Sequence, residues 1–231
     1  MKNLMIWIND KHDFSPEAHN LVKIQIDNSQ RLGWKPEDIL LVTNFPYEYN
    51  GIKAILTKDE NFCAVRPRST NTTIIPALVD EGIITPENIY WIHDFDAFQV
   101  NPITDEELEL EDYDAGFTDY GWKSRWCMGS FFVKASVKPF IELVNIIVHQ
   151  DIEDEEAVQV VMDSQPATAK RIKRMNITYN IGQRRVDENM AKANYDPKVF
   201  HFHPSKGDLI KTFAPLMPPE MADVFALHGH A

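Results

Sequence analysis

Apolar positions fall in two rhythms along this chain. Residues 4–8, 38–43, 52–56, 88–95, 114–118, 128–134 and 199–203 are short, nearly continuous apolar runs, which predicts strands covered on both faces. A shorter strand is expected near 176–179. Between these runs, apolar residues recur every three or four positions, as on amphipathic helices. The first such helix has Ser15 to cap it and Pro16 in its first position. Ala18, Leu21, Val22, Ser29 and Leu32 lie near one face, and Gly33 stops it. Further helices are expected within 70–81, near 105–110, over 136–149 with Phe140, Leu143, Val144 and Ile147 on one face, over 154–164, and near the C-terminus.

Alternation of strand and helix through the first half predicts an α/β fold with a parallel or mixed sheet flanked by helices. No internal repeat, low-complexity tract or linker interrupts the pattern, so the 231 residues are expected to form one domain. In open α/β sheets ligands sit outside the carboxyl ends of the strands. For the apolar run at 88–95 that edge falls near residues 93–96.

The formal charge of −12 changes the list of partners. A nucleic-acid binder needs a basic face to displace counterions, and no Lys/Arg-rich run offers one. The densest basic cluster, Lys170, Arg171, Lys173 and Arg174, reads as the solvated face of a helix. Cys63 and Cys127 stand in unrelated contexts with no Cys-x-x-Cys, and the N-terminal run reads as a strand, not a signal peptide. No stretch approaches the roughly 18 apolar residues of a membrane span. The expected compartment is cytoplasmic.

Asp94 and Asp96 are the candidates for chemistry. Residues two apart in a strand point to the same side. Two carboxylates at a strand's frayed end can share a hard divalent cation such as Mn²⁺ or Mg²⁺. The run before them (Ile89, Tyr90, Trp91, Ile92) is strongly apolar, and bulky Phe95 between them is not a turn residue. Later in the chain, His201 and His203 share one side of a strand with Phe200 and Phe202 on the other, and a neutral imidazole suits the same cation.

The segment Tyr90-Trp-Ile-His-Asp-Phe-Asp96 resembles the Asp-x-Asp strand of GT-A glycosyltransferases. The small size is similar to that of miniature phage-encoded members. The resemblance implies a single GT-A domain, with residues 1–98 as the Rossmann-like, nucleotide-binding half and 99–231 as the sugar and acceptor half. It implies a nucleoside-diphosphate donor, a UDP-sugar above all, whose diphosphate is bridged by a metal on Asp94 and Asp96, with Phe95 beside the donor.

Other segments extend it. Val199-Phe-His-Phe-His-Pro-Ser-Lys206 is similar to the His-Phe…Lys segment of the retaining family that includes glycogenin. That match assigns His201, in preference to His203, to the metal and Lys206 to the donor phosphate. The family's Gly after the His-Phe pair is replaced by His203-Pro204, and its Pro-Trp after the Lys by Gly207-Asp208. Cys127-Met-Gly-Ser-Phe-Phe-Val133 resembles the small-residue strand that approaches the donor sugar, which implicates Gly129 and Ser130; an ordinary strand with a bulge at Gly129 is the alternative. Arg68 is the expected phosphate contact, by the bidentate geometry of guanidinium. Asn9, Asp10, Thr43 and Asn44, at the ends of the first two strands, are expected near uracil and ribose. An inverting enzyme needs a carboxylate to deprotonate the acceptor; Asp154 or Glu155 would serve, with Asp119 a rival. A retaining enzyme needs none. Asp94-Phe-Asp-Ala-Phe also resembles the nucleophile loop of haloacid dehalogenase phosphatases. A non-catalytic nucleotide-sugar binder would use the same residues.

Overall fold

The computed structural model describes residues 1–121, 125–182, 186–194, 196–202 and 217–228. Twelve strands occur among them: β1 (Lys2–Trp7), β2 (Ile39–Thr43), β3 (Glu48–Tyr49), β4 (Ile52–Lys53), β5 (Ile55–Leu56), β6 (Tyr90–His93), β7 (Ala97–Gln99), β8 (Ala115–Asp119), β9 (Trp126–Val133), β10 (Ile172–Arg174), β11 (Ile181–Gly182) and β12 (Val199–His201). Seven of them form the central sheet in the order β10-β8-β9-β6-β1-β2-β5. β9 is antiparallel to both of its neighbours, and every other pairing in this sheet is parallel. This is the mixed, mostly parallel sheet that the alternation of strand and helix predicts.

Helix α1 (Pro16–Arg31) starts as its sequence requires: the Ser15 side chain accepts from the Ala18 N–H, and Pro16 needs no donor. Ala18, Val22 and Ile26 pack with Met5, Leu41 and Phe95 on one face of the sheet. On the other face lie α2 (Thr70–Thr73), α3 (Ile75–Asp80), α5 (Lys138–Val148) and α6 (Asp154–Ser164); Phe140, Ile141 and Val144 of α5 meet Ala157, Val158 and Val161 of α6. Leu108 of α4 (Asp105–Leu108) packs instead with Trp91 and Phe132. Fully burying side chains of this size stabilises by about 1.5–3 kcal/mol each.

A second, three-stranded sheet in the order β11-β12-β7 positions the chemistry. The chain leaves the central sheet at His93, turns through Asp94, Phe95 and Asp96, and enters β7. β12 pairs antiparallel with β7 so that His201 faces Ala97 in register. Phe200 and Phe202 then turn to an apolar cluster with Phe98 and Phe225, while His201 turns to the Asp-x-Asp turn. This is the alternation expected for the Phe and His of this segment. Phe225 belongs to the C-terminal helix Pro219–Leu227.

Several expectations shift. Residues 52–56 are split between β4, in a hairpin with β3, and β5 at the edge of the central sheet. Residues 176–179 are not a strand: Ile177–Tyr179 is a 3₁₀ turn capped by Asn176. The basic cluster is not a helix face. It leads into β10, and its cations pair outward, Arg171 just before the strand with Asp114, Lys173 with Glu109 and Arg174 with Asp119. A charged edge strand blocks pairing with further chains.

Candidate active site

β6 ends where its apolar residues end, and the next three residues are fixed by hydrogen bonds from four directions. The Asp94 N–H donates to the Gly129 carbonyl of β9 at 3.0 Å, and the Ala97 N–H donates to the Asp94 carbonyl at 3.0 Å. Gln25 of α1 donates to the carbonyls of Phe95 and Ala97, and the Phe202 N–H to that of Asp96. Phe95 is buried against the Trp7 ring, stacked at 5.5 Å, so its side chain anchors the turn between the two acids.

The carboxylates and an imidazole therefore converge. His201 Nε2 lies 3.4 Å from Asp96 Oδ1 and 4.0 Å from Asp94 Oδ2, and one ligand atom from each residue lies within 4.8 Å of the others. His201 is almost fully buried, while the Asp94 side chain keeps 40% of its surface open toward solvent. Asn71 of α2 donates to Asp94 Oδ1 at 2.7 Å, which leaves Oδ2 for the cluster. The protein crowded around its carboxyl, then the Asp96 charge, pushes Asp94 up to about 7. Burial works to lower the His201 pKa, but the Asp96 carboxylate outweighs it and holds the ring well above its ordinary value. Asp94 and His201, which hold protons when no cation is present, form with the Asp96 carboxylate a donor set suited to a divalent ion.

Gly129 is the third wall. A Cβ there would stand 2.2 Å from His201 Cε1 and 2.9 Å from Asp94 Oδ2, so only glycine allows the ring and carboxylate this close. The β8–β9 register breaks between Phe117 and Thr118, opposite Met128, Gly129 and Ser130. Bulge and close approach thus coincide, as at many functional sites.

These residues open on a cleft of about 1030 Å³. Asn9, Asp10, Arg68, Asp94, Phe95, Asp96, Gly129, Asp154, Glu155 and His201 all line it. Arg66 is committed to Asp151 and Glu153, whereas Arg68 is exposed and has no ion-pair partner among the described residues. Asp154 is held by Thr72, which donates at 2.6 Å, and burial raises its pKa. Glu155 receives the Tyr120 hydroxyl and pairs with Arg125 at 3.0 Å; burial raises its pKa against both.

Three sequence candidates are placed elsewhere. Ser130 is fully buried, accepts from the Trp91 indole and donates to the Tyr179 carbonyl, because it shares a sheet face with His93 and not with Asp94. Thr43 is fully buried and donates to the Phe45 carbonyl at 2.5 Å. Asp119 pairs with Arg174 and accepts from the Gly121 N–H. Asn44 ties the two strand-end loops together through Asn9 and Asp59. His203 and Lys206 lie outside the described residues. Asn71, Thr72, Tyr120, Gln25 and Asn180 carry no motif, and only the tertiary structure brings them to the site.

No family model matches the chain, and no curated protein matches it in sequence. Solved structures do. The chain superposes on a glycosyltransferase involved in the glycosylation of the major capsid of PBCV-1 with a TM-score of 0.55 and 13% identity, over 94% of this chain and 99% of that one. Mouse xyloside xylosyltransferase 1 in its apo form gives 0.53 and 11%, over 87% and 96%. The glycosyltransferase GlyE of Streptococcus pneumoniae TIGR4 gives 0.60 and 10%, over 98% of this chain and 62% of that one. The chain has the GT-A glycosyltransferase fold. The Asp-x-Asp turn of this fold sits at the end of β6, deep in the chain. The haloacid dehalogenase arrangement, with its acid pair on a first strand, is not the one adopted.

Proposed function

We propose that this protein is a metal-dependent glycosyltransferase that moves a sugar from a nucleoside-diphosphate donor, a UDP-sugar above all, to an acceptor hydroxyl. The observation that carries this reading is the convergence of Asp94, Asp96 and His201 on the wall of a cleft large enough for a nucleotide sugar, in a glycosyltransferase fold. The donor set and the space left by Gly129 fit Mn²⁺ or Mg²⁺. When bound, such a cation supplies positive charge to a departing diphosphate.

The chain's own groups do the rest. Arg68, which lines the same cleft, offers a planar fork of donors to the diphosphate. Trp7 and Asn9, at the end of β1, border the space for the nucleoside. Glu155 faces the acceptor side. Tyr120 and Arg125 orient its carboxylate, and its raised pKa suits it to hold or take the acceptor proton. Asp154, deeper and bonded to Thr72, lines the sugar pocket.

The test is release of UDP from a panel of UDP-sugars in the presence of Mn²⁺. Release should occur with at least one sugar and should disappear on chelation and in Asp96→Asn. Turnover that persists in both cases would reject the reading.

A further inference from the structure

The two ring nitrogens of His201 face different partners. Nε2 looks toward Asp96 and Asp94, and Nδ1 lies 3.0 Å from Oδ1 of Asn180. Asn180 is completely buried at the end of the turn Ile177–Tyr179. The next two residues form β11, which pairs with β12 so that Gly182 faces His201; the sheet therefore sets the spacing between amide and ring. The amide cannot turn round, because its Nδ2 donates to the Asp119 carbonyl at 2.9 Å. Its Oδ1 must face the ring, and an amide oxygen only accepts. The contact is a hydrogen bond only when Nδ1 carries the hydrogen. In the neutral ring, that leaves the lone pair on Nε2, the atom aimed at the carboxylates. Cys127 Sγ also approaches Nδ1, at 3.6 Å, but sulfur is the weaker partner.

We infer that Asn180 is a positioning residue that fixes the tautomer and orientation of His201, so that Nε2 serves as a cation ligand. The inference rests on the reading of Asp94, Asp96 and His201 as a metal site. It also gives Asp119 a part: its backbone carbonyl, not its carboxylate, anchors the relay. Partners behind a metal-bound imidazole typically contribute about 10–100-fold to affinity.

The probe is Mn²⁺ alone, with its dissociation constant measured by calorimetry or by electron paramagnetic resonance of the free ion. Asn180→Ala should weaken Mn²⁺ binding roughly 10–100-fold. In a His201→Ala background the same substitution should add little, because the ring it positions is gone. Asn180→Asp keeps an acceptor for the ring N–H and should retain most of the affinity, which keeps the test open if the alanine variant fails to fold. Equal weakening by Asn180→Ala with and without His201 would mark a merely structural role and overturn the inference. So would a folded Asn180→Asp that binds as weakly as His201→Ala. Wild-type protein that binds no Mn²⁺ would overturn the metal reading and this inference together; wild-type affinity in Asn180→Ala would overturn this inference alone.

Discussion

Gly129 and His201 lie so close that any side chain at position 129 would overlap the imidazole, with a Cβ 2.2 Å from Cε1. A glycine in a strand interior costs about 0.5–1 kcal/mol relative to alanine, so its place in β9 makes sense only through this contact. The β-bulge at Met128 to Ser130 moves the backbone toward Asp94, and the missing side chain lets the ring reach the same point.

Gly129→Ala should therefore damage the site more than the fold. Overpacking typically costs about 1–3 kcal/mol, which a chain of this size should survive. A displaced ligand should lower donor turnover by roughly 100-fold. Thermal melting and UDP release, measured on the same preparation, check both halves. A variant with normal turnover would mean that the ring and glycine need not meet.

Arg68→Ala isolates the diphosphate contact. Arg68 is exposed and lacks an ion-pair partner among the described residues, so its loss should leave the melting temperature unchanged. Loss of a hydrogen bond to a charged group, about 1.5–3 kcal/mol, should weaken UDP binding at least tenfold. Uridine binding should be unaffected. Equal weakening for uridine and UDP would place Arg68 at the nucleoside instead.

The metal-free site should make stability fall as pH rises. The folded chain holds the Asp94 proton up to about 7 against an ordinary value of 3.8. Between those values the folded state binds more protons than the unfolded state, so this group stabilises the protein at low pH and stops doing so as pH rises. His201 acts in the same direction: its raised pKa gives stability that is complete below 6.5 and lost as pH rises through the folded value. Mn²⁺ replaces those protons and should raise the melting temperature more at pH 8 than at pH 5. In Asp94→Asn the metal-free decline between pH 4 and 7 should be shallower than in wild type. Identical pH slopes for the two proteins would exclude this role for Asp94.

Much of this was legible along the chain, for physical reasons. Leu4, Leu41, Tyr90 and Phe131 lie in continuous apolar runs because central strands are covered on both faces, so the central strands could be read from hydrophobicity alone. Asp94 and Asp96 stood out because acids directly after such a run have few structural uses, and Phe200 and Phe202 betrayed the face of β12 opposite His201. The strand at Ile172–Arg174 was hidden by its charges, which an edge strand tolerates and a buried strand would not. Ser130 and Gly129 could not be separated by sequence; which of them meets Asp94 depends on the pairing of β9 with β6 and on the bulge beside it. Asn71 and Asn180 were invisible because an isolated asparagine has no pattern, and their work depends on contacts with partners distant in sequence.

The most direct test of the central claim is calorimetric titration of UDP into wild-type protein and Asp96→Asn, each with and without Mn²⁺. UDP should bind the wild type tightly only with Mn²⁺, and Asp96→Asn should bind it weakly under both conditions while melting normally. UDP affinity independent of Mn²⁺, or full Mn²⁺-dependent affinity in Asp96→Asn, would contradict that claim.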